Sequence, residues 1–372
     1  MKSLKKRLVN LIMIILVTFI MLLFSEFVIR LLNKDSMVLF PRYHTDVKYG
    51  EFTIRRVRPN MKYIHRSIDG NFDFVSNNKG FRNEEDIEYP KSDDEIRILC
   101  IGDSNILGYE VKQSQVITTV IKDLHEKNQK PYKITVINTG VSGTGTAEQL
   151  VFLKNEGFKY KPDYVVLGFF KNDFRNNQIS KLYKVESDSL VVDNLTYAPG
   201  TKIQNFIYKF KIVKFLGENS YLYAFAFNTV WEGVANIRYK KAWERVANIR
   251  YKKASEKEKV ESAEYVLETR KIFSNYDILL MKKLIEDMYS FCQKIDAPLI
   301  IIDFPEVDLS SSILPELVND FRDNSDTLFY ANDLKEDFLS LPKVHVKNGY
   351  RHVSEETHHL FANKIINFID SD

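Results

Sequence analysis

The hydrophobic positions of the chain fall into three rhythms, and each predicts a different kind of element. The first is continuous. From Leu8 to Phe24, "LVNLIMIILVTFIMLLF" carries no charge, and Asn10 and Thr18 are its only strongly polar members. At ~1.5 Å per helical residue, about 20 apolar residues cross a hydrocarbon core, so a transmembrane anchor is expected over residues 8–31. A signal peptide would carry a shorter apolar region followed by a small-residue cleavage site, and no such site follows here. Lys2, Lys5, Lys6 and Arg7 precede the run, against Glu26 and Arg30 behind it. That asymmetry predicts a cytoplasmic tail over residues 1–7, a single pass through the cell membrane, and the bulk of the chain outside.

The second rhythm is alternation. Between residues 36 and 95, "YGEFTIRRVRP", "NMKYIHRSI" and "NFDFVSNN" alternate apolar and polar positions between Gly, Pro and Asn, which predicts short strands and turns. The third begins at residue 96. "EIRILCIG", "YKITVINTG", "PDYVVLGFF" and "APLIIIDFP" are short apolar runs, separated by helical patterns such as "SQVITTVIKDLHEKNQK" and "TAEQLVFLKNEGF". Continuous apolar strands alternating with helices predict a parallel sheet covered on both faces, a three-layer α/β/α sandwich over residues 96–372. Ligands of such sheets bind beyond the carboxyl ends of the strands.

A helical insertion is expected at about residues 174–273. Phe206, Tyr208, Phe210, Phe215, Tyr221, Tyr223, Phe225, Phe227 and Trp231 crowd its first half. Ordinary packing is the commoner use of such residues; an apolar lip that holds lipid or rests on a membrane is the other reading. "WEGVANIRYKKA" (231–242) then repeats as "WERVANIRYKKA" (243–254), differing only at Gly233 against Arg245. One twelve-residue duplication is too short and too few for a solenoid, and reads as a tandem copy in an exposed helix. Trp231–Lys259 holds nine Lys/Arg against four Glu, a basic stretch suited to solvent or to anionic headgroups.

Composition changes this picture little. The chain of 372 residues is 44% hydrophobic and 28% charged, enough for a sizeable core. Its net charge of +3 is accounted for by the four cations of the first seven residues, so no basic field argues for nucleic acid. Cys100 and Cys292 form no spaced cluster and are expected as two separate buried thiols.

The chemistry-bearing residues sit where the predicted strands end. Ser104 follows Ile101-Gly102-Asp103 at the first; a serine hydroxyl becomes a nucleophile beside a base, with donors aimed at the developing oxyanion. The second strand ends in "NTGVSGTGT", whose Gly140, Gly143 and Gly145 allow close backbone approach. It lacks the Lys-Ser/Thr of a phosphate loop and the full dinucleotide fingerprint. Asn172, in "GFFKNDFRNN", offers an amide after the third. Near the C-terminus, "NGYRHVSEETHHLFANKIINFI" places His352 before a helix with Ser354 as N-cap and Glu355 and Glu356 in its first turn. His358 and His359 fall inside that helix and are expected as bystanders; adjacent helical residues point about 100° apart and make no metal face.

Gly-Asp-Ser, the Gly-rich second loop, Asn172-Asp173 and a late His, in this order, resemble the SGNH (GDSL-type) hydrolase family over residues 96–372. With "NNKGFRN" before the first strand and the anchor ahead of it, the layout is similar to that of membrane-anchored cell-envelope members. The resemblance implies an SGNH/flavodoxin-like sandwich with Ser104 as nucleophile and His352 as base. It implies an oxyanion hole from the N–H groups of Ser104 and Gly143 with the Asn172 amide, and Asp103 fixing the turn. It implies ester hydrolysis through an acyl-serine, with no metal or cofactor, on an acylated envelope polysaccharide or lipid.

One position departs from the family pattern. The last block carries Asp two or three residues before the His; here those positions are Tyr350 and Gly349, with Asn348 one further back. Asn348 orienting the imidazole, a carboxylate from elsewhere such as Asp303, a Ser–His pair aided only by a backbone carbonyl, and a weakened or inactive site stay open at this point. The expected function is therefore an extracytoplasmic serine esterase. Its rivals are an O-acyltransferase using the same acyl-serine and a non-catalytic glycan-binding protein.

Overall fold

The structure, a computed structural model, describes residues 2–34, 37–39, 41, 43–230, 273–309, 312–319, 328–329, 334–349 and 352–371. The tandem repeat, Trp231 and the basic stretch to Lys259 lie outside the described residues.

A single helix, α1 (Lys2–Asn33), carries the apolar run, which is exposed along its length. It is a candidate membrane span. Two antiparallel hairpins follow, as the alternation predicts: β1 (His44–Tyr49) with β2 (Phe52–Val57), and β3 (Lys62–Ser67) with β4 (Gly70–Val75).

The main unit then runs through β5 (Glu95–Gly102), α2 (Ser104–Leu107), α3 (Ile117–Lys127), β6 (Lys133–Asn138), α4 (Thr146–Asn155), β7 (Tyr164–Phe169) and α5 (Asp173–Ser180). After the insertion come α8 (Asn275–Lys294), β11 (Leu299–Asp303), α9 (Leu314–Val318), β12 (Leu328–Phe329), α10 (Lys335–Ser340) and α11 (Glu355–Ser371). Five strands pair in parallel in the order β12-β11-β7-β5-β6. All four predicted apolar runs are strands of this sheet.

Because side chains alternate across a strand, each run feeds two cores. Leu99, Ile101, Leu167 and Ile301 pack with Leu150 of α4 and Met281 and Leu284 of α8. Ile98, Cys100, Val166 and Ile302 pack on the other face with Ile117 and Val120 of α3 and Phe361 and Ile365 of α11. Fully burying such a side chain stabilises by about 1.5–3 kcal/mol, which explains why the strands are apolar without interruption. Cys100 and Cys292 are buried and unpaired. The chain passes from β5 to β6 on one side and then to β7 on the other. The strand order therefore reverses at β5, opening a crevice at its carboxyl end.

The insertion is only partly helical. It begins with a hairpin, β8 (Tyr183–Glu186) and β9 (Ser189–Val192), turned by Ser187 and Asp188, both at positive φ as a tight two-residue turn requires. β10 (Thr196–Tyr197) then adds in parallel to β2, tying the insertion to the N-terminal segment. Helices α6 (Thr201–Ile207) and α7 (Lys211–Asn219) follow, with a further helical stretch over residues 221–230. Packing consumes only part of its aromatic residues: Tyr208 packs against the cluster around Met61 and Tyr63, while Phe206, Phe210, Phe215 and Phe225 stand exposed.

Candidate active site

β5 delivers its last residue, Gly102, to the crevice, and the chain turns over Asp103 into the single turn of α2. Asp103 is fully buried. Its Oδ1 accepts the Asn105 N–H at 2.8 Å and its Oδ2 accepts the Asn172 amide at 2.9 Å. One carboxylate thus fixes both the turn that carries Ser104 and the amide arriving from the end of β7. Burial pushes its pKa up, against the hydrogen bonds and the nearby His352.

Ser104 and His352, 248 positions apart, meet here: the hydroxyl donates to His352 Nε2 at 2.9 Å. The other ring nitrogen, Nδ1, donates to the carbonyl oxygen of Gly349 at 2.5 Å. This pair of bonds selects the neutral tautomer with its proton on Nδ1 and its lone pair aimed at the serine. The same carbonyl accepts the His352 N–H at 3.0 Å, and the Gly349 N–H donates to Val346 at 3.1 Å, so a tight turn holds the acceptor. Burial lowers the His352 pKa most, with Asp103, the Gly349 carbonyl and Glu110 pushing back, and the balance lies below the ordinary value.

Of the open readings of the missing acid, the backbone carbonyl occupies Nδ1. Asn348 is corrected as the orienting residue: its amide donates to Asp69 Oδ1 at 3.0 Å, and its N–H also goes to Asp69. Asp303 accepts from Ser312 and does not bond His352; burial pushes its carboxyl up to about 7. Tyr350 lies outside the described residues.

The Gly-rich loop after β6 crosses the mouth of the crevice, with the Val141 N–H on the Gly102 carbonyl at 3.1 Å. Gly143 sits at φ +70, a conformation side chains resist, and an added Cβ would lie 2.6 Å from the Arg55 guanidinium. Among the described residues, neither the Ser104 nor the Gly143 N–H has an acceptor. Asn172 keeps one amide hydrogen beyond its bond to Asp103. The three donors expected of an oxyanion hole are therefore unspent. His358 is structural: its Nδ1 accepts the Ile117 N–H at 3.2 Å, and burial lowers its pKa to about 3. Ser354 caps α11 through Thr357, as expected.

Three residues were not singled out by their sequence. Arg82, from "NNKGFRN", is buried and donates to the carbonyls of Leu107 (2.7 Å), Val111 (2.7 Å) and Asp73 (3.0 Å), to Gln113 and to Gly108. It clamps the loop that follows Ser104. Tyr109 sits between two imidazoles, its ring tilted against His352 with centroids 4.5 Å apart and edge-on to His65 at 4.7 Å. Glu110, at φ +58 and almost fully buried, pairs with His65 Nε2 at 3.5 Å. Its other oxygen lies against Gly349: a Cβ added there would be 2.5 Å from Oε2. The space a side chain at 349 would enter is thus taken by the carboxylate of Glu110. Burial pushes that carboxyl up, but His65, Ser67 and His352 outweigh it, and it stays below the usual range.

No protein-family model and no curated protein matches the sequence. Among solved structures, the chain is similar to a two-domain esterase active on acetylated mannans (9% identity, 74% of this chain, TM-score 0.37). It spans about half of that longer chain (49%). It is also similar to a lipase/acylhydrolase from Enterococcus faecalis (14% identity, 74% of this chain and 96% of that one, TM-score 0.36). A third is a catalytic mutant of an acetylxylan esterase from Geobacillus stearothermophilus (10% identity, 75% and 95%, TM-score 0.38). The fold itself is a parallel α/β sheet with Ser104 at the end of β5.

Proposed function

We propose that this chain is a membrane-anchored, extracytoplasmic serine esterase that removes O-acyl groups from an envelope polysaccharide or lipid. The observation that carries the proposal is the hydrogen-bonded relay from Ser104 Oγ to His352 Nε2, and from Nδ1 to the Gly349 carbonyl. Ser104 attacks the ester carbonyl and its proton passes to Nε2. The N–H groups of Ser104 and Gly143 and the free amide hydrogen of Asn172 receive the oxyanion. As the tetrahedral intermediate collapses, the imidazolium gives its proton to the departing alcohol, and water then releases the acid by the same route. The Gly349 carbonyl keeps the ring in register, and the negative charge of Glu110 behind it favours the imidazolium.

The anchor and the basic flank ahead of it support placement outside the membrane, and that placement supports an envelope ester as substrate. The acyl-serine chemistry serves equally for transfer to a sugar hydroxyl.

The test is labelling of the full-length, detergent-solubilised chain by a fluorophosphonate, which reacts with activated serines. Wild type is expected to label, with labelling lost in Ser104→Ala and His352→Ala. A folded wild type that stays unlabelled would sink the esterase reading and favour a glycan-binding role. If labelling succeeds, release of acetate from acetylated glycan, with and without an acceptor sugar, separates hydrolase from transferase.

A further inference from the structure

Helices α6 and α7 are built inside out. On α6 the buried positions are the polar Thr201 and Gln204, while Ile203 and Phe206 are 53% and 60% exposed. Its polar side docks: Asn205 Oδ1 accepts from Thr45 and from Arg58, both at 2.8 Å, and its amide donates to Asp46 at 2.6 Å. On α7, Lys214 reaches the Lys62 carbonyl of β3 at 3.1 Å, and Arg66 of β3 holds the Glu218 carbonyl at 2.6 Å. The side turned away carries Ile212 and Phe215, 62% and 61% exposed. Phe210 joins the two helices, its ring 5.7 Å from that of Phe206. An amphipathic helix normally turns its apolar stripe to the core. Two successive helices that turn it outward form an apolar patch that the described residues leave uncovered.

The place of this patch names the partner. The apolar run of α1 ends at Phe24, and two residues later α1 begins to hold the domain. Glu26 accepts the N–H groups of Tyr221 (3.0 Å) and Leu222 (2.9 Å) and the Ser220 hydroxyl (2.7 Å). Arg30 donates to the Asn219 carbonyl at 2.8 Å and lies 4.8 Å from the centre of the Tyr221 ring. The end of α7 is thus pinned where the span leaves the hydrocarbon. Lys202, Lys209 and Lys211 are exposed around the patch, where long cationic side chains reach headgroup phosphates while apolar neighbours enter the acyl boundary.

We infer that α6 and α7 form a second membrane contact, a monotopic platform whose Ile203, Phe206, Phe210, Ile212 and Phe215 rest in the interface of an anionic bilayer beside the anchor. The inference rests on the anchor reading of α1, and it fixes how the domain lies on the surface. Depths of ~5–10 Å are typical of such platforms.

The full-length chain is reconstituted in phosphatidylcholine/phosphatidylglycerol vesicles with single cysteines carrying an environment-sensitive fluorophore. The native Cys100 and Cys292 are buried and stay silent. Labels replace Phe206, Ile212 and Phe215, with Ile20→Cys as the anchor control and Leu339→Cys, on an equally exposed apolar position, as the solvent control. The expected result is that shallow doxyl lipids quench the three patch labels by about twofold or more, while Leu339→Cys responds only to aqueous iodide. Iodide quenching of the patch labels with no lipid quenching, while Ile20→Cys is quenched by deep doxyl lipid, overturns the platform and leaves the anchor standing. Silence at Ile20→Cys as well overturns the anchor reading on which the platform rests. Self-quenching of the patch labels that rises with protein density, without lipid quenching, overturns it in favour of a second copy of this chain.

Discussion

Gly349 contributes twice. Its main-chain carbonyl accepts from His352, and its lack of a side chain leaves room in which the carboxylate of Glu110 sits. Charge that a triad carboxylate supplies by contact is here supplied across the turn, so its effect is electrostatic and smaller. Glu110→Gln is expected to lower kcat on a soluble ester on the order of tenfold, equivalent to roughly 1–2 kcal/mol of lost imidazolium stabilisation. The pH profile carries the sign. Glu110 raises the His352 pKa, so its neutralisation moves the acid limb of kcat/KM to lower pH even as kcat falls. An unshifted limb would mean that Glu110 acts only through packing. Ser104, His352 and Asp103 were legible because residue type and order suffice to find them. Glu110 was not, because its role comes from where its carboxylate points, and "GYEV" holds nothing that says so.

At the scale of elements, the strands were the most readable part, since burial on both faces forces an unbroken apolar run that few other structures use. The β8–β9 hairpin was missed: its alternation spans only four residues a side, within a stretch dominated by aromatic residues. Arg82 belongs to this scale, because it joins the β4 hairpin to the loop leaving α2. Burial lowers its pKa to about 10, so it remains a cation at neutral pH. Arg82→Met is expected to leave the Leu107, Gly108 and Val111 carbonyls short of a donor and to cost roughly 3–5 kcal/mol, read as a lowered urea midpoint. Fluorophosphonate labelling should fall with it although Arg82 touches no reacting atom. A variant with wild-type midpoint and lost labelling would contradict this structural role.

Across the whole molecule, Glu26 joins α1 to the α/β domain through the end of α7 and the helical stretch that follows it. It caps the helical stretch that starts at residue 221 from a position 195 residues earlier in the chain. Glu26→Ala removes that cap, a loss of about 1 kcal/mol by analogy with ordinary N-caps. The expected outcome is faster proteolysis around residues 219–222 in membranes, with turnover of a soluble ester unchanged. Equal proteolysis of variant and wild type would show that the domain is held by other contacts. The sequence made both the anchor and the aromatic crowding visible. That the crowding faces outward depended on which side of α6 and α7 meets β1 and β3, a tertiary fact that periodicity does not contain.

The acceptor at Nδ1 belongs to the main chain, and no substitution of a side chain deletes it. An alanine scan of this site would return two indispensable residues and be read as a dyad. The third contributor would surface when the spacing between Val346 and His352 is altered, by an inserted or removed residue, or when a Cβ at 349 is driven against Glu110 and Val346. In this chain the heritable unit behind His352 is thus the length of a turn together with the bare α-carbon at 349, while the acceptor itself has no letter of its own.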